Sequence, residues 1–171
     1  MTQKPDQVQF KNVVILVDNV NRSKSFYTNL LDQKIENDFG RNVSFKGGLS
    51  IWKKDYALEH INSSITDRKL KMCSSTQKTH AQELYFEAKN IDEFQEKIIR
   101  SGTKMAHEII TQPWQQKAFR FFDPDGFIIE VAESMESVVK RLAKRGLSVD
   151  EINEKCMMPN KAIKRILRNK K

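Results

Sequence analysis

Residues 8–54 and 81–133 run through the same order of elements, and few architectures accept such a repeat. The first stretch opens on Phe10-Lys-Asn-Val-Val-Ile-Leu-Val17 and the second on Glu83–Ala88, both rich in the residues that favour strands. Each run ends in a turn, Asp18-Asn19-Val20-Asn21 or Lys89-Asn90-Ile91-Asp92. A helix follows in each. Asn21 is placed to cap one with Phe26, Leu30 and Leu31 on its apolar face, and Asp92 to cap one with Phe94, Ile98 and Ile99, ending at Ser101-Gly102. Three short strands then complete each stretch. They are expected near Lys34–Phe39, Asn42–Phe45 and Leu49–Lys53, broken at Gly40 and Gly47-Gly48, and near Lys104–His107, Ala118–Phe122 and Phe127–Ala132. Asp123-Pro124-Asp125-Gly126 is a turn signal between the last two. Overlaying the halves puts Asn12 on Glu83 and Asn19 on Asn90 at a shift of 71, while Gly48–Trp52 falls on Gly126–Glu130 at a shift of 78. The pattern predicts an α+β body over residues 1–133, made of two β-α-β-β-β modules with a polar, aperiodic linker at 55–80. A helical tail follows over 134–171.

A strand between a helix and an open face shows alternate residues to each. Leu84, Phe86 and Ala88 should face the second helix and Glu83, Tyr85 and Glu87 the other way; Ile129 and Val131 oppose Ile128 and Glu130 in the same manner. The matching open set in module one is Asn12, Val14 and Leu16 with Ser50 and Trp52. Two curled sheets facing each other would line a shared cavity with these faces.

The order of elements, Val17-Asp18-Asn19-Val20-Asn21-Arg22-Ser23-Lys24-Ser25-Phe26-Tyr27, and Phe121-Phe122-Asp123-Pro124-Asp125-Gly126-Phe127-Ile128-Ile129-Glu130 together resemble the vicinal oxygen chelate superfamily over residues 8–133. That group includes glyoxalase I, extradiol dioxygenases, fosfomycin-resistance enzymes and bleomycin-binding proteins. The resemblance implies a curled sheet around a cavity, a homodimer, and metal ligands on the first and last strand of each module. Those corners hold Asn12, Trp52, Glu83 and Glu130 in this sequence, and only the two glutamates are good ligands.

Three readings of Glu83 and Glu130 stay open. They hold a rebuilt metal site with a third ligand such as His80 or His107; they act without metal, as catalytic acid and base or as ligand-gripping carboxylates; or they are neutralised by Arg120 or Lys117 and brace the sheet. The expectation is no metal or other cofactor, and a small molecule bound by Asn12, Trp52, Tyr85, Trp114 and Arg120. Trp52 would fill the metal's space and Trp114 cover the cavity mouth. Function is then small-molecule binding of the glyoxalase/bleomycin-resistance kind, or metal-independent lyase or isomerase chemistry, with a metal-dependent glyoxalase or dioxygenase as one alternative.

Nucleotide, hydrolase and metalloprotease signatures (GxGxxG, P-loop, GxSxG, HExxH) do not occur in the chain. Cys73 and Cys156, the only cysteines, form no CxxC pair, and the first residues lack the apolar run of a secretory signal, so a cytoplasmic protein with no membrane contact is expected. Of the net charge of +8, +7 lies in residues 134–171, which carry eleven Lys and Arg against four acids. The near-neutral body argues against an acidic groove for a cationic drug. The tail shows Val138, Val139 and Leu142 at helical spacing, a capping box at Ser148 and Glu151, and a last helix after Pro159 with Ala162, Ile163, Ile166 and Leu167 apolar. Its simpler reading is a helical appendage packed on the body or on a second subunit. The rival is a helix-turn-helix-like unit that contacts DNA, making the protein a ligand-sensing transcriptional regulator.

Overall fold

A run of β-branched residues puts Val13–Val17 into strand β1, and the chain then enters helix α1 (Val20–Ser25), which a π-helical turn extends over Phe26–Leu30. Strands β2 (Ile35–Asp38), β3 (Asn42–Phe45) and β4 (Leu49–Lys53) follow, then helix α2 (Lys54–Ser63). The second half repeats the order: β5 (Glu83–Glu87), α3 (Ile91–Arg100), β6 (Met105–Thr111), β7 (Lys117–Phe122) and β8 (Ile128–Ala132). This computed structural model describes residues 10–65 and 82–168. The chain falls into two compact units, Met1–Gln77 and Lys78–Lys171.

Both units carry a four-stranded sheet with the same strand order, β1-β4-β3-β2 and β5-β8-β7-β6. The first strand of each module runs parallel to the last, and the other neighbours are antiparallel. A parallel pair needs a long crossover, and α1 or α3 begins it. The cores sit under those helices. Ile15, Val17, Tyr27, Val43, Phe45 and Ile51 are buried in the first unit, and Ile98, Phe119, Phe121, Ile129 and Val131 in the second. Burying each such side chain stabilises by about 1.5–3 kcal/mol.

Several local expectations are corrected. The helix caps are Asn19, whose side chain accepts from the Arg22 amide at 3.0 Å, and Asn90, which accepts from the Glu93 amide at 3.4 Å, rather than Asn21 and Asp92. The helices start two residues early because Val20 and Ile91 are themselves buried. The π-turn shifts the helical phase, so Tyr27 is fully buried while Phe26 and Leu30 are half-buried. In α3 the inward residues are Ile91, Phe94 and Ile98, and Ile99 is exposed.

Strand β6 runs on to Thr111, well past the expected end at His107. The expected linker at 55–80 begins with helix α2, whose buried Ala57 and Leu58 escape notice among the charged residues around them. Its residues 66–80, with Cys73 and His80, lie outside the described residues.

The tail folds as helices α4 (Met135–Lys144), α5 (Val149–Cys156) and α6 (Asn160–Arg168). Their apolar faces meet in one cluster of Val138, Val139, Leu142, Ile152, Cys156 and Ile163. The apolar stripes thus cover one another. Helix α4 is tied to the second module by Arg141, which donates through Nη2 to the Gln115 carbonyl at 2.6 Å and to Glu133 Oε1 at 2.8 Å. Among the described residues, no helix is long and apolar enough to cross a membrane.

Candidate functional site

Strand register decides which side chains share the open face of each sheet. In the second unit Tyr85 pairs with Glu130, Glu130 with Arg120 and Arg120 with His107, so these four form one row across β5, β8, β7 and β6. Glu83 lies two residues from Tyr85 and so on the same face. The expected alternation holds along β5, with Leu84 and Phe86 half-buried and Glu83, Tyr85 and Glu87 exposed.

Arg120 is the centre of the row. Its Nε donates to Glu83 Oε2 at 2.6 Å, its Nη2 contacts Glu130 Oε2, and its Nη1 donates to His107 Nε2 at 3.2 Å. His107 Nδ1 lies 2.7 Å from the Glu108 carbonyl. A carbonyl can only accept and a guanidinium can only donate, so the proton sits on Nδ1 and the Nε2 lone pair faces Arg120. Glu130 is buried, at 5% exposure. Burial, then repulsion from Glu83, push its carboxyl above the usual range, and the Arg120 guanidinium partly offsets them. At the end of the row the Tyr85 hydroxyl donates to Glu87 Oε1 at 3.1 Å and accepts from Gln116 Nε2 at 3.0 Å. Burial raises that phenol's pKa, so it stays a proton donor.

Gln116 also donates to the Glu133 carbonyl at 2.7 Å and accepts from the Trp114 indole at 2.8 Å. Trp114 is half-buried in the β6–β7 turn, in which the Gln112 amide donates to the Gln116 carbonyl at 2.7 Å and Gln115 is left-handed at φ 69°. Lys117 does not share in neutralising Glu83 and Glu130; it pairs with Asp92 at 3.2 Å.

The equivalent row in the first unit is Val14, Ser50, Ser44 and Asn37. Ser50, not Trp52, therefore stands where Glu130 stands. Three residues separate β3 from β4, but five separate β7 from β8. The longer turn is wound around Asp123, whose Oδ1 accepts from the Asp125 and Phe127 amides at 2.9 and 2.8 Å, with Gly126 at φ 84°. Aligning the halves on their turn glycines slips the strand by two residues. The side chain stays on the same face but moves one pair along.

Asn12 does match Glu83, and its Nδ2 donates to Ser50 Oγ at 2.5 Å. Trp52 lies two residues beyond Ser50, opposite Leu16 and Asn42, with its ring edge-on to Tyr56 at 6.4 Å. The first unit's face also bounds a hollow of about 450 Å³ whose lining includes Asn12, Asn37, Asn42, Ser44 and Ser50. Gly48 closes one side, at φ 93°, where a Cβ would stand 3.2 Å from the Lys11 carbonyl.

Asn12 and Trp52 thus belong to one unit, and Glu83, Tyr85, Trp114, Arg120 and Glu130 to the other. Gln116 was not singled out from the sequence, while His107 was named only as a possible metal ligand and Ser50 only as part of the open face; the signal for where they stand was the cross-strand register. The donor set does not suit a divalent transition metal. The two carboxylates already share one cation, the Arg120 guanidinium, and the matching corners are an amide and a hydroxyl. Among the described residues, no three His, Cys, Asp or Glu side chains are grouped to hold an ion.

Comparison with known proteins agrees with this architecture. The family model of the glyoxalase-like domain matches residues 10–136, both modules and the first residues of α4. A protein of unknown function from Agrobacterium tumefaciens str. C58 is 34% identical, with a TM-score of 0.65 over 75% of this chain and 96% of its own. A lactoylglutathione lyase from Agrobacterium tumefaciens (19% identity, TM-score 0.53, 77% and 96% of the two chains) shares the fold. So does a genomically encoded fosfomycin resistance protein from Listeria monocytogenes (16%, TM-score 0.54, 75% and 95%). No curated protein matches the chain. With a family model spanning both modules and solved relatives of the same topology, the chain belongs to the glyoxalase-like family of the vicinal oxygen chelate superfamily.

Proposed function

We propose that the protein binds a small polar molecule on its open strand faces, without a transition metal. One observation carries this reading: Arg120 is held between Glu83 and Glu130. A guanidinium has five N–H donors; Nε bonds Glu83, Nη1 bonds His107 and Nη2 contacts Glu130, and N–H groups remain for an oxygen of the ligand. The carboxylates are spent on aiming Arg120 and are positioning groups, not reacting ones. The Tyr85 ring, 48% exposed, adds flat apolar surface beside the charged row. The polar hollow of about 450 Å³ on the first unit, with Asn12 and Ser50, is of the size small ligands occupy.

The test is made on full-length protein purified without chelator or metal-affinity tag. Elemental analysis is expected to find far less than one zinc, nickel, iron or manganese per chain. A stoichiometry near one overturns the metal-free reading. Native mass spectrometry of the same sample reads any molecule that copurifies. Its adduct should disappear in a folded Arg120→Gln variant, and an adduct that survives this substitution places the binding elsewhere.

A further inference from the structure

The glyoxalase-like match ends at residue 136, so nearly all of the three-helix tail lies outside the region that defines the family. We propose that helices α4–α6 form a duplex-DNA-binding module, with α6 as the helix presented to the major groove. The first support is rigidity. Helix α5 has eight residues and α6 nine, and only Met157, Met158 and Pro159 lie between them. Met157 turns the chain in the left-handed region at φ 56°, and Asn153 Nδ2 donates to the Met158 carbonyl at 2.5 Å. Asn160 Nδ2 donates to Asp150 Oδ1 at 2.7 Å across the pair. The capping box of Ser148 and Glu151 fixes the start of α5, and α4 closes the shared core around Ile152, Cys156 and Ile163. Two short helices joined by a tight turn and braced by a third are the outline of a helix-turn-helix unit.

Charge is the second support. On α4, Lys140 is paired with Glu136 and Arg141 with Glu133. On α6, Lys161, Lys164, Arg165 and Arg168 are all exposed and have no carboxylate partner among the described residues, and the helix itself contains no acid. Their spacing of three, four and seven puts all four on one stripe, where like charges repel. No counter-charge within the described chain compensates that repulsion, so an external polyanion is the matching partner.

The other face of α6 is already used, since Ile163 is fully buried in the helical core and Ile166 and Leu167 pack against it. An amphipathic helix of this kind has no free apolar face to sink into a lipid surface. Residues 134–171 contain no Phe, Tyr or Trp on which unpaired bases could stack, which favours a duplex over single-stranded nucleic acid. A single rigid helix with a cationic outer face fits the major groove, whose width is about 12 Å.

The test uses the full-length protein and a fluorescein-labelled duplex of mixed sequence, read by fluorescence anisotropy between about 50 and 200 mM NaCl. Four cations that each neutralise one phosphate give a log–log salt slope of about −3 to −4, or roughly a 100-fold loss of affinity over that range. The fourfold variant with Lys161, Lys164, Arg165 and Arg168 each changed to Gln should lose this binding and flatten the slope. Lys164→Gln alone should reduce the slope by about one, which keeps the test valid if the fourfold variant misfolds. Lys140→Gln, on the paired helix, should leave binding unchanged. Absence of duplex binding by the native chain at low salt overturns the proposal. So does equal binding by the fourfold variant, or tighter association with phosphatidylserine vesicles than with the duplex.

Discussion

Replacing Arg120 with Met removes the cation that Glu83 and Glu130 share while keeping most of the stem's packing. The Glu130 side chain is only 6% exposed, against 28% for Arg120 and 37% for Glu83. The Arg120–Glu83 contact is open enough to be screened, and its loss should cost less than about 1 kcal/mol. The loss at Glu130 is larger, because a buried carboxylate would stand without a counter-charge, a change worth about 3–5 kcal/mol when burial is complete. Discounting for the partial exposure of Arg120, the variant should be destabilised by about 2–4 kcal/mol at pH 7. For a chain of this length that is a fall of roughly 6–12 °C in Tm.

The sign of the pH effect follows from Glu130. Its carboxyl is already held above the usual range by burial and Glu83, so its share of stability is complete below the ordinary glutamate value and is lost as pH rises through the raised one. Without Arg120 that value moves higher still, and a proton can stand in for the guanidinium. The deficit of Arg120→Met should therefore shrink steadily from pH 7 to pH 5, and adding Glu130→Gln should recover much of it at pH 7. Thermal unfolding followed by circular dichroism at both pH values measures this. An Arg120→Met chain that melts with the native one at pH 7, or keeps its full deficit at pH 5, would show that Glu130 does not depend on Arg120.

Two further substitutions test the local architecture. Asn19→Ala removes the acceptor for the Arg22 amide and should cost about 1 kcal/mol, while Asn21→Ala, one residue inside α1, should change Tm by less than half as much; the reverse order would refute the cap assignment. Arg141→Met breaks the bonds to Gln115 and Glu133, so amide exchange should quicken in the 112–116 turn and α4 but not in β1 or β4, and uniform exchange across these segments would show that Arg141 does not anchor the tail.

Much of this was legible in the residues. Periodicity of two along β5 and β8, the turn asparagines at a shift of 71, the Asp123–Gly126 turn and the Ser148 capping box are short-range signals, readable because each depends on neighbours a few positions away. They specify the duplicated module, the face that Glu83, Tyr85 and Glu130 share, and the helical tail. What they could not specify was register. The sequence placed Trp52 on Glu130 through the turn glycines, and hydrogen bonding between strands placed Ser50 there, because one hairpin turn is two residues longer than the other.

The same limit hid the partners of His107 and Gln116, which reach Arg120 and Tyr85 only when β6 and β7 pair and the β6–β7 turn closes. It also hid which cations of the tail are neutralised. Composition counts charges, but only the packing of α4 against its own module brought Glu133 to Arg141, while nothing comparable faces Lys161, Lys164, Arg165 and Arg168 among the described residues. The chain alone thus determined which elements form and which way their side chains point. Tertiary pairing decided which distant side chains meet, since ion pairs and ligand faces depend on contacts a few ångströms long between residues far apart in sequence.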